Sequence, residues 1–197
     1  MKILFLTNNP ISEILIQFIA AEDEVVQWEK PLSVEDMETI KPDFVVSYSY
    51  RHILRKPVLD MLPGKFVNLH ISLLPWNRGA DPNAWSFLDD TPKGVSIHLI
   101  DEGLDTGPIL VQRPVSFDEH LETIGSSYAA LHSNIQQLFR ENWAAIKTSA
   151  IRPTDQIGSG TQHKMKEFSL LKEKLFKDEG WNTKINDMKD RYRDLPK

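Results

Sequence analysis

The sequence predicts an α/β fold with a mostly parallel sheet and helices on both faces. Apolar runs of strand length alternate with segments of helical period from Lys2 to Ser72. Parallel strands need right-handed crossovers, and helical crossovers cover both faces of the sheet. With 197 residues, 41% of them hydrophobic, the chain falls in the range of one globular domain with a sizeable core.

Lys2 to Thr7 reads as an apolar strand that ends in Asn8-Asn9-Pro10, and Ile11, Leu15, Phe18 and Ile19 then recur at helical spacing up to Glu22. Val25 to Trp28 is a second strand. Ser33 to Ile40 is a short helix with Ser33 as N-cap and Asp36 three residues on. Asp43 to Tyr50 forms a third strand, Pro57 to Leu62 a helical turn, and Phe66 to Ser72 a fourth strand. Pro82 to Leu88 is helical, Gly94 to Ile100 alternates as a strand, and Pro108 to Val115 is another. The longest helical pattern runs from Ile124 to Ile146, with Leu131, Ile135, Leu138, Phe139, Trp143 and Ile146 on one stripe. Beyond Ile151 the periodicity fades, apart from an apolar segment around Phe168 to Phe176. The chain thus reads as a body at 1–150 and a short C-terminal extension at 151–197, packing on the core or forming an interface.

Composition removes several classes. The absence of Cys excludes a disulfide scaffold, a cysteine zinc site and a thiol nucleophile. Any metal would need His and carboxylates, and no metal site is expected. Lys and Arg number 23 against 28 Asp and Glu, a net charge of -5, which argues against a broad nucleic-acid footprint. The charge is uneven: residues 151 to 197 hold 11 basic and 8 acidic side chains, and residues 1 to 150 hold 12 and 20. Ile3 to Leu6 is too short for a signal sequence or a membrane span, so a cytoplasmic location without a membrane partner is expected.

In an open parallel sheet, ligands lie outside the carboxyl ends of the strands. Asn68 and His70 are two apart in an otherwise apolar strand, so both point to one face near its end. A buried strand needs partners for an amide and an imidazole there, either structural or functional. The loop Ser72 to Ala80 follows, rich in turn formers and hydrogen-bonding groups. A second loop, Asp101 to Gly107, ends the Gly94 to Ile100 strand, and Asp105 is the candidate acid to orient the His.

The segment VNLHISLLPWNRGADPNAWSFLDDTPKGVSIHLIDEGLDTGPIL resembles the core of the folate-dependent formyltransferases, with Asn-x-His, Ser-Leu-Leu-Pro, Arg-Gly and a later Leu-Asp-x-Gly in order. The match spans about residues 42 to 115. Two departures stand out: the stretch between Trp85 and Gly94 is a residue short, and Ile71 stands where many members have Pro. The resemblance implies a Rossmann-like formyltransferase fold, 10-formyltetrahydrofolate as co-substrate and Asn68, His70 and Asp105 as catalytic groups. Asn68 and His70 would donate to the oxyanion of a tetrahedral intermediate, each donor contributing on the order of 10² to 10³ in rate. Asp105 would orient His70 and help move the amine proton. The pterin would lie between Tyr50, Arg51, His52, Ile53 and Leu54 on one side and Asp101, Glu102, Gly103 and Leu104 on the other. Ile53 and Leu54 can also be read as the start of a core helix.

Three branches of that family compete for the acceptor. Branches acting on tRNA append a sizeable domain, and here 47 residues follow Ala150. The glycinamide ribonucleotide branch carries a Gly-containing phosphate loop after the first strand, where this chain has Thr7-Asn8-Asn9-Pro10-Ile11. The wording LPWNRGADPN, DDTPKGVSIH, IDEGLDTG and GTQHKMKE is similar to the sugar N-formyltransferases. That branch implies a nucleoside-diphosphate amino sugar as partner, with Trp76, Asn77, Arg78 and Asn83 near the acceptor and His163 and Lys164 near the diphosphate. Arg78 is equally readable as pinning its own loop, and a solvated basic tail is the nearer reading of His163 and Lys164. A homodimer is compatible with the resemblance. His98 reads as structural or as a supporting group behind the catalytic residues. A formyl-folate hydrolase and a non-catalytic folate or sugar-nucleotide binding module are the alternatives, and no G-x-G-x-x-G supports a dehydrogenase.

Overall fold

A computed structural model describes residues 1–196. The strands are β1 (Lys2–Leu6), β2 (Glu24–Trp28), β3 (Phe44–Tyr48), β4 (Phe66–His70), β5 (Arg78–Gly79), β6 (Gly94–Leu99), β7 (Ile109–Pro114) and β8 (Gln162–His163). The helices are α1 (Glu13–Ala20), α2 (Val34–Ile40), α3 (Lys56–Leu59), α4 (Pro82–Leu88), α5 (Ile124–Lys147), α6 (Met165–Phe176) and α7 (Ile185–Arg193). Six strands form one sheet in the order β2-β1-β3-β4-β6-β7. None of the described helices is long and apolar enough to cross a membrane.

The chain divides into two compact units. Met1–His70, Ile97–Val111 and Gln136–Gln156 make the first; Ile71–Ser96, Gln112–Ile135 and the chain from Ile157 onward make the second.

In the first unit, β1 pairs in parallel with β2 and β3, and β3 pairs in parallel with β4. Ile3, Leu4, Phe5 and Leu6 are all fully buried, as a strand covered on both faces must be. Leu4, Leu6 and Val45 pack with Met37, Leu54, Val58 and Phe66 in one apolar cluster. The predicted capping box is present: Asp36 N–H donates to Ser33 Oγ at 3.1 Å, and Ser33 N–H to Asp36 Oδ2 at 2.9 Å.

The parallel run is broken by β6. Ile100 N–H, just past the end of β6, donates to Phe66 O at the start of β4, so β6 runs against β4. Period-two alternation predicts a strand but carries no direction, so the sequence left this reversal unread.

In the second unit, Ala84, Trp85 and Phe87 of α4 share a buried cluster with Ile124, Phe168, Leu175, Phe176, Ile185 and Met188. The sequence missed two features there. The β5 and β8 ladder joins Arg78 to Gln162 and Gly79 to His163, and two-residue strands have no period to detect. Helix α7 buries only Ile185 and Met188 among mostly polar residues, too few for a stripe.

Candidate active site

The polar groups of the first unit meet at the end of β4. Because Phe66 faces Ile100 across the reversed pair, the residues two steps inward, Asn68 and His98, come opposite one another. Asn68 Nδ2 lies 3.1 Å from Asp105 Oδ1 and 3.3 Å from His98 Nε2. Asp105 Oδ1 is also 3.4 Å from His98 Nε2, and its Oδ2 is 3.7 Å from His70 Nδ1. The sequence-predicted trio is therefore brought together around one carboxylate. His98, read as structural or as a supporting group, belongs to the same cluster, and its place opposite Asn68 requires the reversed strand.

The backbone holds Asp105 in a special conformation. Its φ is 53°, a left-handed value that Asp and Asn tolerate better than most residues. Gln156 Nε2 donates to both Asp105 O at 2.8 Å and Gly107 O at 2.9 Å. Gly107 comes so close to the end of β6 that a Cβ there would sit 1.9 Å from Leu99 O. Asp101 Oδ1 accepts from Gly103 N–H at 3.0 Å and Thr106 Oγ1 at 2.7 Å, closing the preceding turn. These contacts fix the carboxylate before any ligand arrives. His98 Nδ1, 2.8 Å from Leu99 O, carries its hydrogen toward that carbonyl, which leaves Nε2 as the acceptor for Asn68.

A cavity of about 150 Å³ adjoins the cluster. Asn68, His98 and Asp105 line it together with the whole Tyr50–Leu54 loop and with Asp101, Gly103 and Leu104. Eight of the nine residues expected at a pterin site are thus gathered around one space. Glu102 is the exception, exposed and paired with Lys56 at 3.0 Å. Ile53 is 79% exposed on this loop. Arg51 N–H is anchored on Asn8 Oδ1 at 3.0 Å, and Tyr50 hydroxyl donates to Lys30 O. Burial pushes the Tyr50 phenol up to about 12, so it stays a donor.

The residues expected around the acceptor lie in the second unit. Asn77 is buried, with Nδ2 donating to Thr91 Oγ1 at 2.7 Å and Oδ1 accepting from Thr161 Oγ1 at 3.2 Å. Arg78 Nη1 donates to Ser159 O at 3.2 Å. Asn83 is buried, its Nδ2 donating to Ile124 O at 3.1 Å. Trp76 is half-buried in the turn where Ser72 Oγ donates to its carbonyl. His163 stacks on Trp85 at 3.9 Å with the rings 4° from parallel, and bonds Asp89 Oδ2 at 2.7 Å. Lys164 caps α6, its N–H donating to Glu167 Oε2 at 3.0 Å. Asn77, Arg78 and His163 knit the segment after Ile157 onto the loop and helix that follow β4.

A family model described as formyl transferase matches residues 18–142. Among solved structures, the formyltransferase PseJ from Anoxybacillus kamchatkensis, in complex with UDP-4,6-dideoxy-4-formamido-L-AltNAc and tetrahydrofolate, is 41% identical. Its TM-score is 0.88, and the match covers 95% of this chain and 97% of that one. A likely sugar N-formyltransferase from Mycobacterium tuberculosis is 28% identical at a TM-score of 0.77, over 87% of this chain and 78% of that one. Among curated proteins, methionyl-tRNA formyltransferase of Trichlorobacter lovleyi is 31% identical over 150 residues, 75% of this chain and 46% of the relative. The chain spans half or less of the length of most of the curated relatives it matches. The matched segment contains Asn68, His70, His98 and Asp105, and the chain belongs to the formyl transferase family.

Proposed function

We propose that the chain transfers a formyl group from 10-formyltetrahydrofolate to the amine of a nucleotide-linked amino sugar. The observation that carries the transfer is the cluster of Asn68, His70, His98 and Asp105 beside a cavity with exposed apolar groups on its loops. The likeness to PseJ over nearly the full length of both chains supports the acceptor.

Formyl-folate fits the cavity by its chemistry. Ile53 and Leu104, both exposed and apolar, offer contact to a flat heterocycle, and the backbone of Asp101 to Leu104 offers hydrogen bonds to its edge. The co-substrate supplies an electrophilic formyl carbon. The acceptor nitrogen bonds to that carbon, the bond from carbon to folate nitrogen breaks, and one amine proton ends on the departing nitrogen.

Charge builds on the formyl oxygen during attack. Of the two Asn68 amide hydrogens, one is anchored on Asp105; the longer bond to His98 is the one exchanged for the oxyanion. His70, with Nδ1 turned to Asp105, presents its other nitrogen for donation or proton transfer. Asp105 stabilises positive charge on the imidazole and keeps the ring oriented. Residues 1–150 carry this chemistry in the proposal, and 151–197 complete the acceptor side.

Incubation with formyl-folate and a panel of UDP- and dTDP-linked amino sugars, followed by folate absorbance and product mass, tests the reading. Formation of a formamido sugar supports it. Formylation of methionyl-tRNA alone would favour the activity in the name of the curated relatives, and formyl release without any acceptor a hydrolase.

A further inference from the structure

The second unit holds a cavity of about 80 Å³, in the same measure several times the space one water needs. Ile124, Tyr128, Phe168, Phe176 and Trp181 form much of its wall. The rings are in contact with one another: Phe168 and Phe176 at 5.6 Å, Phe176 and Trp181 at 6.4 Å, and Tyr128 and Trp181 at 5.0 Å. Trp181 is nonetheless 51% exposed, which leaves a large aromatic surface beside the cavity in water.

Asn83, Lys172 and Asp81 bring polar groups to this wall, and burial raises the Asp81 carboxyl above its ordinary range while the Lys172 charge opposes that rise. Asn83 is buried; its Nδ2 is used by Ile124 O, while its Oδ1 has no partner. A buried amide oxygen left unpaired is costly, so the position calls for a donor. Lys172 places its ammonium 5.9 Å and 6.0 Å from the ring centroids of Phe176 and Trp181, a cation on the same wall.

We propose that this cavity receives the planar amide-type group of a phosphate-bearing acceptor. The N–H of that group donates to Asn83 Oδ1, its flat body rests on the aromatic wall, and Lys172 meets the phosphate. Two parts of a nucleotide-linked sugar carry such an N–H: an acetamido substituent and the imide edge of a uracil or thymine base. The inference rests on the proposed acceptor, and it names the pocket that selects it.

Calorimetric titration with uridine 5'-phosphate and with N-acetylglucosamine 1-phosphate tests each source separately. The matched probes without the donor are 3-methyluridine 5'-phosphate and glucose 1-phosphate. One donor-bearing probe should bind about 10- to 100-fold tighter than its counterpart, which identifies the source. Trp181→Ala and Lys172→Gln, both at exposed positions, should each weaken that probe about tenfold and leave formyl-folate affinity unchanged. Equal binding of matched probes, binding of none, or unchanged affinity in both variants would overturn the assignment. If both variants formylate a nucleotide amino sugar with unchanged KM, the pocket is refuted while the function stands. If the probes bind as described and no amino sugar is formylated, the function fails and the pocket stands.

Discussion

Replacing Asp105 by Asn isolates the charge of the carboxylate from its shape. Asn accepts the left-handed backbone at φ 53°, and its amide can still meet Asn68 and His98, so the loop held by Gln156 should keep its form. What disappears is the negative charge 3.7 Å from His70 Nδ1, at a site where both side chains are about nine-tenths buried. Two unit charges about 4 Å apart interact by about 4 kcal/mol at an effective dielectric near 20. Any positive charge that builds on the imidazole during proton movement loses that support. Full loss corresponds to about 10³ in rate, and the remaining amide dipole recovers part of it, so kcat should fall by about 10² to 10³. Initial rates of formyl-folate consumption with a nucleotide amino sugar, together with circular dichroism and folate affinity as controls for folding and binding, measure this. A folded variant with kcat within about threefold of the parent would refute the electrostatic role.

Gly107→Ala should displace the Asp105 loop, because its Cβ would press on Leu99 O; a loss of about 10² in kcat with retained fold is expected, read by the same rate assay. His132 is buried, and burial holds its imidazole down at about 4 from an ordinary value of 6.5. Between those values the unfolded chain takes up a proton that the folded chain does not, so stability falls as pH drops from about 6.5 to about 4, by up to about 3 kcal/mol. Urea midpoints across that range should show the slope, and His132→Leu should flatten it. Met188→Ala opens a cavity in the fully buried cluster of the second unit and should cost about 2 to 5 kcal/mol by urea denaturation.

Local chemistry made most of the frame legible. Ser33 and Asp36 announced a capped helix that is present, and the spacing of Asn68 and His70 put both on the strand that ends at the site. The part that stayed hidden depends on strand direction and on backbone twist. His98 reaches Asp105 only because β6 runs against β4, and alternation reads the same in either direction. The left-handed turn at Asp105 is likewise a property of the closed loop, not of the residue alone. Arg78 and Gly79 meet Gln162 and His163 across 84 positions of sequence, a pairing with no local signal. Trp85 read as a helix residue, yet its ring is spent on a stack with His163.

The buried cluster of the second unit has a bearing on how the protein is made. Trp85 and Phe87 find Ile185 and Met188 about a hundred residues later in synthesis. Until that late stretch leaves the ribosome, the apolar side of α4 has only the part of its cover that Ile124, Phe168, Leu175 and Phe176 supply, and the nascent chain exposes the kind of surface that chaperones hold. Such distant pairing also favours slow closure relative to the local β-α-β units that emerge first. Translation stalled before Ile185 would therefore yield a polypeptide whose opening strands are paired but whose second unit still exposes apolar side chains, a natural substrate for quality control.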